Sequence, residues 1–352
     1  MSKNAAHQTL YRAYRPQNFD EVRGQGQVTE TLKASIKNKK IAHAYLFSGG
    51  RGTGKTTVAR ILAREVGVSD KDLYEIDAAS NTGVDNIRDL REGVNVVPFE
   101  SPYKFYIIDE AHMLSKAAFN ALLKTLEEPP AHVIFVLATT EREKIPDTIQ
   151  SRCETYAFKQ PTREVLAEIV TDVAKSEGYS VECAAAELIA LLAEGSFRDA
   201  LSILQKVLTV SKDKKVDVAE VESVTGAPKG EVVRQILKAI AERNAPKALE
   251  AIQSAMKDNI DVRVLTRLLI HRLRVVLLLR FAPDLAESFS KELTEADLAL
   301  AKEISKNANI TSDTLRTILE AYSTMFYAVV PHLPLEMAII DITTSSLKSE
   351  GK

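Results

Sequence analysis

The chain has 352 residues, 45% of them hydrophobic and 27% charged. That length exceeds what one hydrophobic core sustains, and the composition excludes disordered, collagenous and low-complexity scaffolds. Forty-six basic against 48 acidic residues leave a formal net charge of -2, so nucleic-acid binding must rest on local basic surface and a histone-like binder is excluded. Two cysteines, Cys153 and Cys183, are too few for a disulfide scaffold or a four-cysteine zinc site. Met1 to Leu10 lack the apolar stretch of a signal peptide, and runs such as Val275 to Leu279 are far too short to span a bilayer, so the expectation is a cytoplasmic protein with no membrane partner.

In chain order, the first half alternates short apolar runs with helical patterns: Ala44 to Phe47, Val58 to Val66, Phe105 to Ile108, Ser115 to Glu127, Val133 to Ala138. That rhythm predicts βαβ units. Runs that are apolar at every position, such as Val133-Ile134-Phe135-Val136-Leu137, suit the strands of a doubly wound parallel sheet with helices on both faces. After Gln160-Pro161 the strand signals fade, and Leu188, Leu191, Leu192, then Ala200, Leu201, Leu204 follow the helical period. Thr225-Gly226-Ala227-Pro228-Lys229-Gly230 reads as a loop before a second helical stretch, which starts near Glu231 and is punctuated by Pro283, Pro331 and Pro334. The expected organisation is an α/β nucleotide-binding core over 1–160, a small helical domain over 161–226, an all-α domain over 227–345 and a frayed tail over 346–352.

Gly49-Gly50-Arg51-Gly52-Thr53-Gly54-Lys55-Thr56 satisfies G-x-x-x-x-G-K-[ST] between a predicted strand and a predicted helix, the context that the motif requires. Its glycines let backbone N–H groups turn toward phosphates and Lys55 supplies a point charge. Thr56 can hold Mg2+, Thr57 continues the first helical turn, and the helix N-terminus adds its dipole. A nucleotide site follows. Downstream, the strand Phe105 to Ile108 ends in Asp109-Glu110, with Asp109 placed to reach the metal through water and Glu110 to polarise the attacking water. That pair adds hydrolysis to binding.

Several further stretches complete a pattern: Tyr14-Arg15-Pro16 with Phe19 and Gly24-Gln25, Ala42 to Gly49, Glu75-Ile76-Asp77-Ala78-Ala79-Ser80-Asn81, Asp109-Glu110-Ala111-His112, Ala121 to Pro130, Ser151-Arg152-Cys153, Gly195 to Ala200 and Leu333-Pro334-Leu335-Glu336. Together they resemble the AAA+ clamp-loader ATPases, and among these the bacterial gamma/tau subunits of DNA polymerase III in their short, gamma-like form. The resemblance covers nearly the whole chain. It implies a P-loop AAA+ core, a helical lid domain and an all-α collar for oligomerisation. It also implies an ATP-driven motor that opens a sliding clamp and loads it on primer-template DNA beside delta- and delta-prime-like subunits in a nucleoid-associated replisome.

Carried over by motif, the resemblance makes Thr139 of Ala138-Thr139-Thr140 the sensor-1 hydroxyl, and Arg152 an arginine finger acting in trans on a neighbour's nucleotide. It makes Arg198 the sensor-2 arginine and puts Arg15 and Pro16 near adenine. His112 and Cys153 receive no nucleophilic or ligand role from it and are assigned to structure. One departure is visible. The family usually carries a four-cysteine zinc module before the Glu75 strand, whereas Arg64 to Tyr74 passes through without a cysteine, so no zinc is expected.

Candidates for backbone contacts to DNA are Asn81 in the Ser80-Asn81-Thr82-Gly83 turn, Arg88 and Arg91 after it, and Asn120 and Lys124 one turn apart on the next helix. They read equally as solvated helix faces. Val96-Val97-Pro98-Phe99 offers Pro98 and Phe99 to a clamp pocket, or caps the domain's own core. The C-terminal leucine-rich runs, Leu265, Leu268, Leu269, Leu273, Val276 and Leu277, exceed what one slender helix pair would hide and point to a homo- or hetero-oligomeric collar. No motif suggests nucleotidyl transfer. The alternatives are an archaeal or eukaryotic-type clamp-loader small subunit or another AAA+ DNA remodeller, and a scaffold that has lost hydrolysis. Intact Lys55, Thr56, Asp109 and Glu110 speak against the scaffold.

Overall fold

The computed structural model describes residues 8–80, 90, 92–285 and 293–344. Asn81, Arg88, Arg91 and the 346–352 tail lie outside the described residues. The chain separates into two compact units, Met1–Ile169 with Ala193–Ser202, and Val170–Leu192 with Ile203–Lys352.

The first unit runs α1 (Leu10–Ala13), α2 (Gly26–Lys37), β1 (Ala44–Gly49), α3 (Lys55–Glu65), β2 (Leu73–Asp77), β3 (Lys104–Asp109), α4 (Lys116–Glu127), β4 (Val133–Thr139), α5 (Asp147–Gln150) and β5 (Glu154–Phe158). All five strands are parallel, in the order β2-β3-β4-β1-β5. The three central strands fall on the apolar runs. The pattern arises because alternate side chains enter opposite cores: Leu46, Ile108, Phe135 and Leu137 pack on one face, and Tyr45, Phe47, Phe105, Ile107, Ile134 and Val136 on the other. The edge strands β2 and β5 are mostly open to solvent and carry polar residues, so a search for apolar runs does not detect β5. Ser115 caps α4 by accepting the Ala118 N–H at 3.2 Å.

The parallel arrangement brings the carboxyl ends of β1, β3 and β4 to one edge of the sheet. Ser48 pairs with Thr139, and Ile108 with Leu137. The glycine loop, Asp109-Glu110 and Thr139-Thr140 therefore leave the sheet side by side, where ligands bind in open α/β sheets.

Two helices, α6 (Arg163–Ser176) and α8 (Phe197–Val210), pass from one unit to the other; β6 (Ser180–Val181), α7 (Cys183–Leu192), β7 (Lys215–Val216) and α9 (Val218–Thr225) belong to the second. The parallel β6–β7 pair stands where only helices were expected, its strands too short to show a period. The remainder is helical: α10 (Gly230–Ala241), α11 (Ala245–Lys257), α12 (Val262–Phe281), α13 (Glu295–Ile304), α14 (Ser312–Thr324) and α15 (Leu333–Thr344). Pro334 sits in the first turn of α15, a position that lacks an intrahelical N–H partner in any case.

This unit corrects the expectation about its apolar surplus. Leu265, Leu268, Leu269, Leu273 and Val276 are buried in its own core, with Leu277 packed against them, because α10, α13 and α14 all pack on α12. Phe281 at the end of α12 is exposed, and the densest run of exposed apolar groups among the described residues lies later: Phe326, Tyr327, Val329 and Val330 after α14, then Leu333, Met337 and Ile340 on α15. Asp297, buried, is bracketed by Arg234 at 3.0 Å and Arg272 at 2.7 Å, so its charge is paired twice.

Candidate nucleotide site

The loop between β1 and α3 adopts backbone angles that only glycine takes without strain. Gly49 has φ 151°, Gly52 φ 70° and Gly54, the N-cap of α3, φ 103°. Gly52 is also sterically required. A Cβ there would lie 2.0 Å from Ser196 Oγ, and the Gly52 carbonyl accepts the Phe197 N–H at 3.0 Å. The loop thus seats directly against the segment carrying Arg198. Gly52→Ala should lower stability by about 2 kcal/mol or more from the left-handed φ plus the clash and weaken nucleotide affinity. A Ser196→Gly change in the same chain should restore part of the melting temperature, and no recovery there would show the contact to be unimportant.

Lys55 is almost fully buried, and its Nζ donates to the carbonyls of Gly49 and Gly50, each at 2.8 Å. Burial pushes its pKa down, and the nearby Glu110 and Asp109 carboxylates oppose that shift. A desolvated ammonium at a helix N-terminus attracts phosphate oxygens strongly. Thr53 ties the loop to itself, its hydroxyl donating to the Gly50 carbonyl at 2.9 Å. Arg51 projects into solvent and Thr57 is half-buried in the first turn of α3.

Thr56 Oγ1 donates to Asp109 Oδ2 at 2.9 Å, and Asp109 Oδ1 accepts the Glu110 N–H at 3.1 Å. Glu110 itself has φ 48° and ψ 45°, left-handed angles that cost a non-glycine residue about 1–2 kcal/mol. That geometry turns its side chain off the strand end toward Thr140, whose hydroxyl donates to Glu110 Oε2 at 3.0 Å.

Thr139 is the last residue of β4 and fully buried, and its hydroxyl accepts the Glu141 N–H at 3.1 Å and meets His112 Nδ1 at 3.1 Å. The hydroxyl that touches the Glu110 carboxylate is that of Thr140, the first residue beyond the strand. A strand buried on both faces offers side chains to the site only past its end.

On the nucleotide's expected base side, the Arg198 guanidinium lies over the Tyr11 ring at 5.6 Å, with Arg12 at 5.7 Å. Arg15 is half-buried and its pKa is depressed, first by burial and then by Arg60, with Arg198 adding to the effect. Arg198 also presses on Lys55. Arg15, Lys55 and Arg198 therefore share one positive field; Pro16 follows Arg15 half-buried. Gln25 locks the frame, its Nε2 donating to the Lys159 carbonyl at 2.7 Å while its Oε1 accepts the Lys159 N–H at 3.2 Å.

The remaining candidates stand apart from this cluster. Arg152 donates through Nη2 to Glu127 Oε1 and through Nη1 to the Thr148 carbonyl, both at 2.6 Å, and among the described residues none of its hydrogen bonds goes to the glycine loop. Asn120 and Lys124 are exposed one turn apart on α4. Phe99 is 75% exposed and Pro98 half-buried. Their loop is held by Asp72, whose buried carboxylate accepts the N–H groups of Phe99, Glu100 and Ser101 at 2.6, 3.0 and 2.9 Å. Burial alone would raise the Asp72 pKa; those amides and the Ser101 hydroxyl outweigh it and bring the pKa down to about 2. The thiol of Cys153 is pushed up to about 12 by burial, in keeping with a structural residue.

Sequence reasoning gave no part to Asp72, Glu127 or the Ser196 side chain, and preferred Thr139 to its neighbour Thr140. Only Thr140 carried a usable signal, its place immediately after a run buried at every position.

Three family profiles tile the chain. One described as "DNA polymerase III, delta subunit" matches residues 24–75 and 67–162, one for the clamp loader subunit ATPase lid domain matches 166–213, and one for gamma and tau domain III matches 216–352. DNA polymerase III subunit tau of Bacillus subtilis (strain 168) is 38% identical, the match covering 98% of this chain and 64% of that protein. The tau subunit of Escherichia coli (strain K12) is 34% identical over 95% of this chain and 55% of its own length. The chain belongs to the DNA polymerase III gamma/tau family. It spans 64% and 55% of those two relatives. Among solved structures, the Thermotoga maritima RuvB Holliday junction branch migration motor is similar at 26% identity with a TM-score of 0.52, covering 65% of this chain and 80% of that one. The first unit of this gamma/tau family member is therefore a P-loop AAA+ core, and a lid domain and a helical C-terminal region follow it. Among the described residues, no helix is long and apolar enough to cross a membrane.

Proposed function

We propose that this chain is the ATP-driven motor subunit of a bacterial clamp loader. It binds and hydrolyses ATP to open a ring-shaped sliding clamp and release it on primed DNA, acting with delta- and delta-prime-like subunits as part of a replicative polymerase holoenzyme. The observation that carries this reading is the Lys55, Thr56, Asp109 and Glu110 constellation at the strand ends, in a chain 34–38% identical to tau subunits over nearly all its length.

In the proposed reaction, the loop N–H groups and Lys55 hold the phosphates. Glu110 orients a water in line with the γ-phosphorus and accepts its proton at the carboxylate as the new P–O bond forms and the bond to the β-phosphate oxygen breaks. The Thr140 hydroxyl, rather than that of Thr139, senses the γ-phosphate, because it already engages Glu110. The hydroxyl and carboxylate oxygens of Thr56 and Asp109, 2.9 Å apart, are hard donors that suit Mg2+, and that ion would neutralise developing phosphate charge when bound. Arg198, held over Tyr11, reports occupancy within the same chain, and Arg15 and Pro16 border the adenine. Arg152 completes the site of a neighbouring subunit.

The lid and collar follow the core as helical domains over 161–226 and 227–345, and the exposed Phe326 to Ile340 surface meets neighbouring subunits. Asn120 and Lys124, with Asn81, Arg88 and Arg91, track the DNA backbone, while Pro98 and Phe99 enter the clamp. No polymerase chemistry belongs to this chain. The likeness to RuvB favours a second reading as a branch-migration type of AAA+ remodeller.

The deciding experiment measures ATP hydrolysis by the chain and by Lys55→Ala, with and without primed DNA, sliding clamp and partner subunits. The expected result is weak basal turnover that primed DNA and clamp stimulate, abolished in Lys55→Ala. Stimulation by branched DNA without a clamp would establish the second reading instead.

A further inference from the structure

The catalytic carboxylate proposed above stands beside a histidine that nucleotide chemistry does not require. The His112 side chain is only 7% exposed. Its Nε2 lies 3.2 Å from Glu141 Oε1, and its Nδ1 lies 3.1 Å from Thr139 Oγ1 and 3.4 Å from Glu110 Oε2. The loop leaving β4 is thus tied to the ring at both nitrogens. Thr139 also accepts the Glu141 N–H at 3.1 Å, and Glu141 is anchored outward by Lys144 at 2.8 Å.

Nε2 faces the Glu141 carboxylate, and Nδ1 faces both the Thr139 hydroxyl and Glu110 Oε2. The ring then has both nitrogens engaged and cannot turn without breaking two contacts. It stands against Glu110 Oε2, the same oxygen that accepts the Thr140 hydroxyl at 3.0 Å. The left-handed Glu110 backbone makes such support necessary, because a strained residue keeps its geometry only where its surroundings over-determine it.

We propose that His112 is a positioning residue for hydrolysis: locked between Thr139 and Glu141, it fixes the Glu110 carboxylate and couples its placement to the end of β4. The inference rests on Glu110 being the group that activates water. In this role His112 touches neither nucleotide nor metal, so its loss should act on the chemical step and leave ground-state binding intact.

The test uses the full chain with its partner subunits, clamp and primed DNA, and compares His112→Leu, His112→Gln and Glu110→Gln. Turnover, KM for ATP, nucleotide affinity and melting temperature are measured for each. His112→Leu should lower kcat by about 10- to 100-fold, the range seen when outer-shell partners are removed, with KM and affinity within about twofold of the parent. His112→Gln, whose amide N–H can reach Glu141, should recover part of that loss. Normal kcat in His112→Leu alongside a dead Glu110→Gln would overturn the inference and leave the role of Glu110 standing. Turnover surviving in Glu110→Gln would remove both. A fall in kcat that comes only with raised KM and lowered melting temperature in both histidine variants would make His112 a packing residue and overturn the inference as well.

Discussion

Arg152→Ala is expected to lower ATP turnover of the assembled complex by about 10³- to 10⁵-fold, the range that arginine fingers supply, with little change in nucleotide affinity. A finger acts on charge that develops during phosphoryl transfer, so it contributes to kcat rather than to ground-state binding. In the chain by itself the Arg152 guanidinium rests on Glu127 and the Thr148 carbonyl, within its own unit. Weak basal turnover of the isolated chain should therefore hardly respond to the substitution. The Glu127 pair is partly exposed, and its loss should change stability by less than about 1 kcal/mol. Steady-state hydrolysis in the complex and nucleotide titration of the isolated chain separate the two effects. An Arg152→Ala chain that binds ATP poorly yet turns over normally would refute action in trans.

Glu110→Gln should reduce kcat by about 10²- to 10⁴-fold, the usual contribution of a general base, and retain ATP binding. The amide keeps the size of the carboxylate and an oxygen able to accept the Thr140 hydroxyl, and the left-handed backbone at position 110 is unchanged. What disappears is a group that can take a proton from water. Lys55→Ala should behave oppositely and lose binding, because Lys55 is the buried cation of the loop. Single-turnover hydrolysis with pre-bound ATP distinguishes the two variants. Equal loss of binding in both would mean that Glu110 serves structure.

Much of the core is legible in the sequence. The central strands announce themselves because both faces are buried, so Phe105 to Ile108 and Val133 to Leu137 are apolar at every position. The edge strand β5 does not, since most of its residues meet solvent. In the C-terminal unit the leucines of α12 were legible as apolar, but whether another subunit or the chain's own helices covered them was not. The answer depends on α10, α13 and α14 closing around one helix. The densest run of exposed apolar groups lies some fifty residues later, around Tyr327 and Val329, which are 91% and 99% exposed.

The sequence by itself determined the nucleotide loop, the Asp109-Glu110 strand end and the βαβ order, because each is written in residues adjacent in the chain and constrained by local geometry. Only the tertiary structure decided that Thr140 rather than Thr139 faces Glu110, that Ser196 seats against Gly52, that Asp72 holds the Phe99 loop, and that Glu127 grips Arg152. All four join segments 25 or more residues apart in the chain. The first depends besides on where β4 stops, because one residue of register at a strand end reverses which side chain is buried and which reaches the site.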